Sequence, residues 1–126
     1  MAATIEARAL LRLSFAPLRR RLRCKTVPMV LEHAVLNVIS GEEQRFEETF
    51  DRAKSIIGSM PGFRSLRLER CIETPSRYLL LVEWERIEDH TEGFRGSPQY
   101  EEFRRLIHHF YDPFPVFEHY EPLIKL

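Results

Sequence analysis

The segment Tyr78–Glu85 (YLLLVEWE) constrains the fold more than any other part of this sequence. It is the most continuously apolar run in the chain, and the Thr74-Pro75-Ser76 segment before it is typical of a turn. In a strand, alternate side chains face opposite sides, here Tyr78, Leu80, Val82 and Trp84 on one side and Leu79 and Leu81 on the other. A strand that is apolar on both faces must be covered on both, so the segment predicts a central strand of a sheet.

The length and the charge of the chain limit the classes of function that are compatible with the sequence. The 126 residues are enough for one domain, and no apolar run approaches the roughly 18 residues that span a bilayer. Seven basic residues and one acidic residue lie in residues 1–28, which leaves 12 basic and 18 acidic residues in 29–126. Because nucleic-acid affinity comes largely from basic residues on phosphates, this acidic part argues against a nucleic-acid partner.

Residues 1–28 are expected to form a basic extension that packs poorly against the domain in 29–126. Three interpretations stay open: translation that begins at Met29, an organellar transit peptide, or a functional basic arm. The two cysteines, Cys24 and Cys71, lie in different segments and do not resemble a disulfide framework. They fit a reducing compartment, so we expect a cytoplasmic protein, or an organellar one if residues 1–28 are a transit peptide.

The first half of the domain predicts a strand, a helix and an edge strand. Val30–Ile39 is the second most apolar run and predicts another central strand. Ser40-Gly41-Glu42-Glu43 has the pattern of a capping box, with Ser40 as the N-cap of a helix. The helix has one apolar stripe, formed by Phe46, Phe50, Ala53 and Ile57, and Pro61-Gly62 ends it. Polar residues alternate with Leu66 and Leu68 in Phe63–Ile72, as expected of an edge strand.

The second half repeats this pattern. A short helical turn is predicted over Ile87–Phe94, and Ser97-Pro98 begins a helix with an apolar stripe and an end at Asp112-Pro113. Pro115–Tyr120 predicts the last strand. The order βαββαβ predicts an α+β, ferredoxin-like fold: an antiparallel four-stranded sheet with two helical segments on one face. Because the helix-free face keeps apolar residues, we expect a homodimer that covers it.

The segment from Met29 to Pro122 resembles the antibiotic biosynthesis monooxygenase family of dimeric α/β barrels. The matching motifs are Gly41-Glu42, Ser59–Phe63 (SMPGF), Tyr78–Trp84 (YLLLVEW), Asp89-His90, Phe94–Tyr100 (FRGSPQY) and His119–Pro122 (HYEP). This resemblance implies an oxygenase that needs no metal or prosthetic group and acts on small aromatic or quinol-type substrates. Such chemistry requires a base, an apolar pocket and exclusion of bulk water.

The resemblance implies a pocket between the sheet and the helices. Residues expected to bind a small aromatic substrate there are Trp84, Phe94, Tyr100, Phe103 and Tyr111. Glu32 lies on the strand face that also carries Leu36, and a carboxyl group in an apolar pocket has a raised pKa that suits a base. His90 and His108 are the other candidate catalytic residues. Ordinary core packing is the alternative for the aromatic residues, and an ion pair with an arginine is the alternative for Glu32.

Two further functions compete with the monooxygenase. One is a non-catalytic ligand-binding or stress-related dimeric barrel, because a fold alone does not define an activity. The other is haem degradation, which the resemblance disfavours because the positions of the required Asn, Trp and His hold Ala34, Phe94 and Arg104. Metal binding is not expected, since the adjacent His108 and His109 point about 100° apart on a helix.

Overall fold

A computed structural model describes residues 29–126, and the basic extension in 1–28 lies outside the described residues. The elements, in chain order, are β1 (Val30–Asn37), α1 (Glu43–Gly58), β2 (Phe63–Arg70), β3 (Arg77–Trp84), a π-helical turn (Asp89–Phe94), α2 (Pro98–Ile107), a 3₁₀ turn (His108–Phe110) and β4 (Glu118–Tyr120). The strands form one antiparallel sheet in the order β2-β3-β1-β4. The predicted α+β, ferredoxin-like fold is confirmed, and within one chain the sheet is open and not a closed barrel.

The two most apolar strands are the central ones, as predicted. On β3, Tyr78, Leu80, Val82 and Trp84 are buried against the helices, whereas Leu79 and Leu81 on the opposite face are only half-buried. Helix α1 buries the predicted stripe against this side of the sheet. Each buried large apolar side chain contributes about 1.5–3 kcal/mol, so this layer of packing stabilises the fold of one chain. The pocket expected from the resemblance lies in the same layer.

The predicted capping box at Ser40 is wrong. Helix α1 begins at Glu43, its N-cap is Glu42, and no side chain of residues 29–126 makes a capping hydrogen bond there. Gly41 adopts a positive φ of 94°, and the Glu42 N–H donates to the Ile39 carbonyl, so a turn separates β1 from the helix. The Glu43 carboxylate does reach back, but it accepts from the Gly41 N–H at 2.9 Å and not from Ser40. The glycine therefore moves the helix start beyond the predicted cap.

The connection after β3 contains a shorter helical turn than the one predicted over 87–94. It is a π-helical turn over Asp89–Phe94, a conformation that is rare and often found at functional sites. Gly62, with φ of 85°, allows the turn to approach, because the Asp89 carboxyl group occupies the position that a Cβ of residue 62 would need. The Asp89 carboxylate also accepts from the Arg86 N–H at 3.1 Å. These contacts fix the position of His90, the next residue.

The C-terminal part follows the prediction only in outline. Ser97 is the N-cap of α2, with Pro98 as the first helical residue, and the Ser97 hydroxyl accepts from the Tyr100 N–H. The last strand pairs only over Glu118–Tyr120, shorter than the predicted strand 115–120, because it forms its ladder with Leu31–His33 alone. Within residues 29–126, no helix has the length and apolarity needed to cross a membrane.

Candidate functional site

Glu32 is the one buried acidic residue of the described domain. It lies on β1, two residues before Ala34. Because alternate side chains of a strand face opposite sides of the sheet, Glu32 faces the helices as Ala34 does. Its Oε1 accepts a hydrogen bond from the Trp84 Nε1–H at 2.9 Å, a diagonal contact that follows from the pairing of Glu32 with Val82. Burial raises the pKa of Glu32 to about 7, although the Trp84 hydrogen bond and the Arg95 charge act in the opposite direction.

His90 is buried beside this carboxyl group. Its imidazole stacks on the Trp84 indole, with 5.7 Å between ring centroids and 17° between planes. The His90 Nε2 lies 3.5 Å from Glu32 Oε1, and the His90 Nδ1 lies 2.8 Å from the Nε2 of His119. Burial, with the Arg95 charge and His119 as smaller causes, lowers the pKa of His90 to about 3, so the ring is neutral at physiological pH.

Aromatic rings enclose the space above Glu32. Phe94 makes edge-to-face contacts with Tyr100 and Phe103 at centroid distances of 5.2 and 5.8 Å. His108 contacts Tyr100 at 5.8 Å and Tyr111 at 5.6 Å. Burial lowers the pKa of His108 to about 4, so the enclosure carries no charge from this histidine near neutral pH. The rings form an apolar wall opposite the carboxyl group.

The enclosed cavity is small. Its volume is about 20 Å³, room for roughly one water molecule. The predicted site residues that line it are Glu32, His90, Phe94, Tyr100, Phe103, His108 and Tyr111. Trp84 lies behind Glu32, to which it donates, and does not line the cavity. The structure thus brings the predicted residues together, but side chains fill most of the space between them.

Three residues at the site were not predicted as functional: Arg95, Phe117 and His119. The Arg95 guanidinium lies 5.2 Å from the centroid of the Phe117 ring, at the edge of the cavity. His119 is opposite Glu32 in the pairing of β1 with β4. A ferredoxin-like topology pairs the first strand with the last, so the alternation of Phe117 and His119 was the signal that could have placed this histidine beside Glu32.

The structure also shows where the residues named in the alternative interpretations lie. Glu32 accepts a hydrogen bond from Trp84 and forms no ion pair with an arginine of residues 29–126; Arg95 acts on it only as a more distant charge. Arg104, at the haem-ligand position of the resemblance, lies on the exposed side of α2 and pairs with Glu101 at 2.7 Å. His109 is exposed while His108 faces the cavity, and in the described part of the chain no three His, Cys, Asp or Glu side chains form a potential metal cluster.

This arrangement can remove a proton from a bound molecule. A carboxyl group with a pKa of about 7 is substantially ionised at neutral pH and is still basic enough to accept a proton. Neutral histidines and aromatic rings surround it, so little water competes for the charge that forms. The site therefore combines a single carboxyl group with an apolar wall.

Comparison with other proteins identifies the family. The sequence profile described as antibiotic biosynthesis monooxygenase matches residues 29–106. The uncharacterized protein YczJ of Bacillus subtilis is 52% identical over 93 residues, which cover 74% of this chain and 98% of YczJ.

Solved structures also share the fold, among them the following two. One is a candidate antibiotic biosynthesis monooxygenase from Bordetella bronchiseptica, 31% identical, with a TM-score of 0.74 over 77% of this chain and 99% of that one. SnoaB, a cofactor-independent oxygenase from Streptomyces nogalater, is 17% identical, with a TM-score of 0.62 over 79% of this chain and 95% of its own. The profile match covers more than half of the chain, and the chain therefore belongs to the antibiotic biosynthesis monooxygenase family.

Proposed function

We propose that this protein is a cofactor-independent monooxygenase of small aromatic or quinol-type substrates. The observation that carries the proposal is the buried carboxyl group of Glu32, with a pKa of about 7, facing a wall of aromatic rings. Family membership and the likeness to an oxygenase described as cofactor-independent support it. The usage of cysteine favours a reducing compartment, and we place the reaction in the cytoplasm.

The reaction balances without an external reductant. Glu32 removes a proton from an activated CH₂ or phenolic group, and the anion that forms transfers an electron to O₂. Recombination of the two radicals and return of the proton give a hydroperoxide on the ring carbon. Removal of the remaining C–H proton then breaks the O–O bond, so that a ketone and one water molecule leave. The substrate supplies all four electrons that reduce O₂, one oxygen atom entering the product and the other the water.

The other site residues have supporting roles in this mechanism. The Trp84 N–H holds the Glu32 carboxylate in one orientation through its 2.9 Å hydrogen bond. His90 lies 3.5 Å from the same oxygen and can exchange a proton with it. Phe94, Tyr100 and Phe103 supply the faces and edges against which an aromatic substrate packs. His108 is within the same wall and is the second candidate for a proton acceptor.

A non-catalytic ligand-binding protein is the second candidate function. The observation that favours it is the small cavity of about 20 Å³, which side chains nearly fill. An aromatic ring needs more space, so substrate binding requires the π-helical turn or α2 to move away from the sheet. A protein that only binds a ligand requires the same movement but needs no buried base.

Oxygen uptake separates the two candidates. The wild-type protein, treated with chelator, is assayed against a panel of hydroquinones and anthrones, and each compound is also tested for binding by fluorescence quenching of Trp84. We expect uptake of one O₂ per product, and a decrease of about 10²-fold in Glu32→Gln with binding retained. Binding without oxygen uptake in the wild-type protein would support the ligand-binding function instead.

We also infer that two copies pair through the helix-free face of the sheet. Leu31, Leu79 and Leu81 are half-buried there, Val35 is 37% exposed, and no element of residues 29–126 covers them. The Nδ1 of His33, on the same face, is shielded from solvent and has no hydrogen-bond partner within the described domain. A second sheet would bury the leucines and could offer this nitrogen a partner.

A further inference from the structure

Arg95 is the one permanently charged cation among the residues that line the cavity in the described domain. Its side chain is exposed although it lines the cavity, so its guanidinium lies at the mouth. Arg86 and Arg104, the arginines before and after it in the chain, each pair with a nearby carboxylate. Arg95 forms no ion pair with a carboxylate of residues 29–126 and instead lies 5.2 Å from the centroid of the Phe117 ring. A guanidinium without an acidic partner at the mouth of an apolar cavity can bind a negatively charged group.

The turn before α2 holds Arg95 in this position. Phe94, the last residue of the π-helical turn, is buried, and the N–H of Arg95 after it donates to the His90 carbonyl at 3.1 Å. The Gly96 N–H donates to the Glu92 carbonyl at 2.9 Å, and a Cβ at residue 96 would lie 2.6 Å from that oxygen. The chain therefore needs glycine here, and its backbone fixes Arg95 between a buried ring and the start of the helix.

The charge of the cavity differs between its inner end and its mouth. Burial raises the pKa of Glu32 to about 7, so the acid at the inner end is partly ionised near neutral pH. Burial lowers the pKa of the histidines at the site (His90, His108 and His119), and the charge of Arg95 lowers it further, so these rings stay neutral. A ligand with a negative charge at one end and none at the other therefore fits with its charge at Arg95.

We propose that Arg95 binds a carboxylate substituent of the aromatic substrate and determines how the ring enters the cavity. This inference rests on the proposed function, since it names the substrate class of that site: an aromatic or quinol-type ring that carries a carboxylate. The planar guanidinium can donate two parallel hydrogen bonds to such a group. A carboxylate beside Glu32 would be repelled by the ionised base, so the substituent stays at the mouth while the ring packs against Phe94 and Tyr100. The end of the ring opposite the carboxylate then faces Glu32.

The ion pair also favours opening of the cavity. Arg95 lies between the π-helical turn and α2, one of which has to move before an aromatic ring can enter. This movement separates the guanidinium from the Phe117 ring, and a cation–π contact at an exposed site is weak. A carboxylate replaces that contact with charge-assisted hydrogen bonds, whereas a neutral ligand replaces it with nothing of similar strength. We therefore expect a carboxylate to improve affinity about tenfold over a neutral group of the same shape.

Calorimetric titration tests the anion site without any need for activity. The probes are 2-naphthoate and 2-naphthamide, which differ only in the charge of the substituent at about pH 7. The full-length wild-type protein should bind the naphthoate about tenfold more tightly, and Arg95→Gln should bind the two probes equally. Arg105→Gln is the matched control, because Arg105 is an exposed arginine of α2 outside the cavity, and this variant should keep the preference. Equal affinities or no detectable binding of the naphthoate in the wild-type protein, or a preference that survives in Arg95→Gln, would overturn the proposal.

Oxygen uptake provides the second test, with hydroquinones and anthrones compared with and without a carboxylate substituent. Because Arg95 holds the substrate at a distance from the reacting carbon, its contact is the same before and during the reaction. Arg95→Gln should therefore raise KM for the carboxylated substrate about tenfold and change kcat little. Arg95→Lys keeps the charge without the planar fork and should lie between the two. The neutral substrates should show the same KM in all three proteins and in Arg105→Gln.

The two tests distinguish failure of the anion site from failure of the proposed function. If the wild-type protein takes up oxygen, but neither affinity nor KM depends on the carboxylate, the oxygenase proposal holds and the anion site is refuted. If no compound supports oxygen uptake, but the naphthoate is preferred and Arg95→Gln abolishes the preference, the anion site holds and the oxygenase proposal fails. An equal loss of affinity for both naphthalene probes in Arg95→Gln would indicate a structural role for Arg95 and refute the anion site.

Discussion

Replacing Glu32 by glutamine should change how stability depends on pH. In the folded protein, burial raises the pKa of Glu32 from 4.5 to about 7. Between these two values the folded state binds the proton more tightly than the unfolded state, so wild-type stability is lost as pH rises through this range and stays low above pH 7. Each unit of pKa difference corresponds to about 1.4 kcal/mol, which makes the total cost of ionising Glu32 in its site about 3 kcal/mol.

Glutamine has nearly the same shape and no charge, so Glu32→Gln lacks this cost. Relative to the wild-type protein, the variant should gain about 2 to 3 kcal/mol in the free energy of unfolding between pH 5 and pH 8. The lowered pKa values of His90 and His108 have the opposite sign: the stability lost through them is lost as pH falls below about 6.5. That loss occurs in both proteins and cancels in the difference between them.

Urea unfolding at four pH values from 5 to 8 measures this difference. The matched control is Glu88→Gln, an exposed residue two positions before His90, and this substitution should leave the pH dependence as in the wild-type protein. The difference in the free energy of unfolding must come from a change in the urea midpoint, while the slope of this free energy against urea concentration stays the same. A Glu32→Gln difference that is constant from pH 5 to pH 8 would refute both the raised pKa and the role of Glu32 as the base.

Three further predictions address the site, the dimer and the extension. Trp84→Phe removes the N–H that favours the ionised carboxylate, so the pKa of Glu32, followed by ¹³C carboxyl resonances, should rise further above 7; an unchanged value would contradict the hydrogen bond as a cause. Val35→Asp places a charge on the helix-free face and should give aggregated or unfolded protein, whereas a folded monomer in light scattering, for this variant or the wild-type protein, would contradict pairing through that face. Removal of residues 1–28 should lower the free energy of unfolding by less than about 1 kcal/mol, and a larger loss by urea unfolding would contradict an extension that packs poorly.

The sheet and the faces of its strands were predictable because burial on a strand repeats every two residues. Tyr78–Trp84 and Val30–Ile39 had no arrangement other than a central one, and the same alternation placed Glu32 on the side of the helices. The start of α1 was not predictable from the capping pattern. Gly41 has a positive φ and continues the preceding turn past Ser40, so the helix begins only at Glu43. Local signals describe which residues can cap, but the path of the loop decides which residue does.

The sequence predicted which residues form the site, but it did not predict how their side chains are arranged. Glu32, His90 and His108 were identified by residue type, and the fold brought them to one cavity. The closeness of His90 to His119 depends on a π-helical turn and on a strand of only three paired residues, neither of which has a clear sequence pattern. The size of the cavity could not be predicted at all, because it depends on how the rings of Phe94, Tyr100 and Phe103 fit together.

The carboxyl group and the rings that enclose it lie in separate stretches of the chain. Glu32 is on the first strand, whereas most of the rings over it belong to residues 90–111, between the third and fourth strands. In evolutionary terms, substitutions in this later stretch can reshape the pocket for a different molecule while the base and the paired strands stay as they are. The same division makes residues 90–111 the region to randomise when a new substrate is sought in the laboratory, with Glu32 held constant.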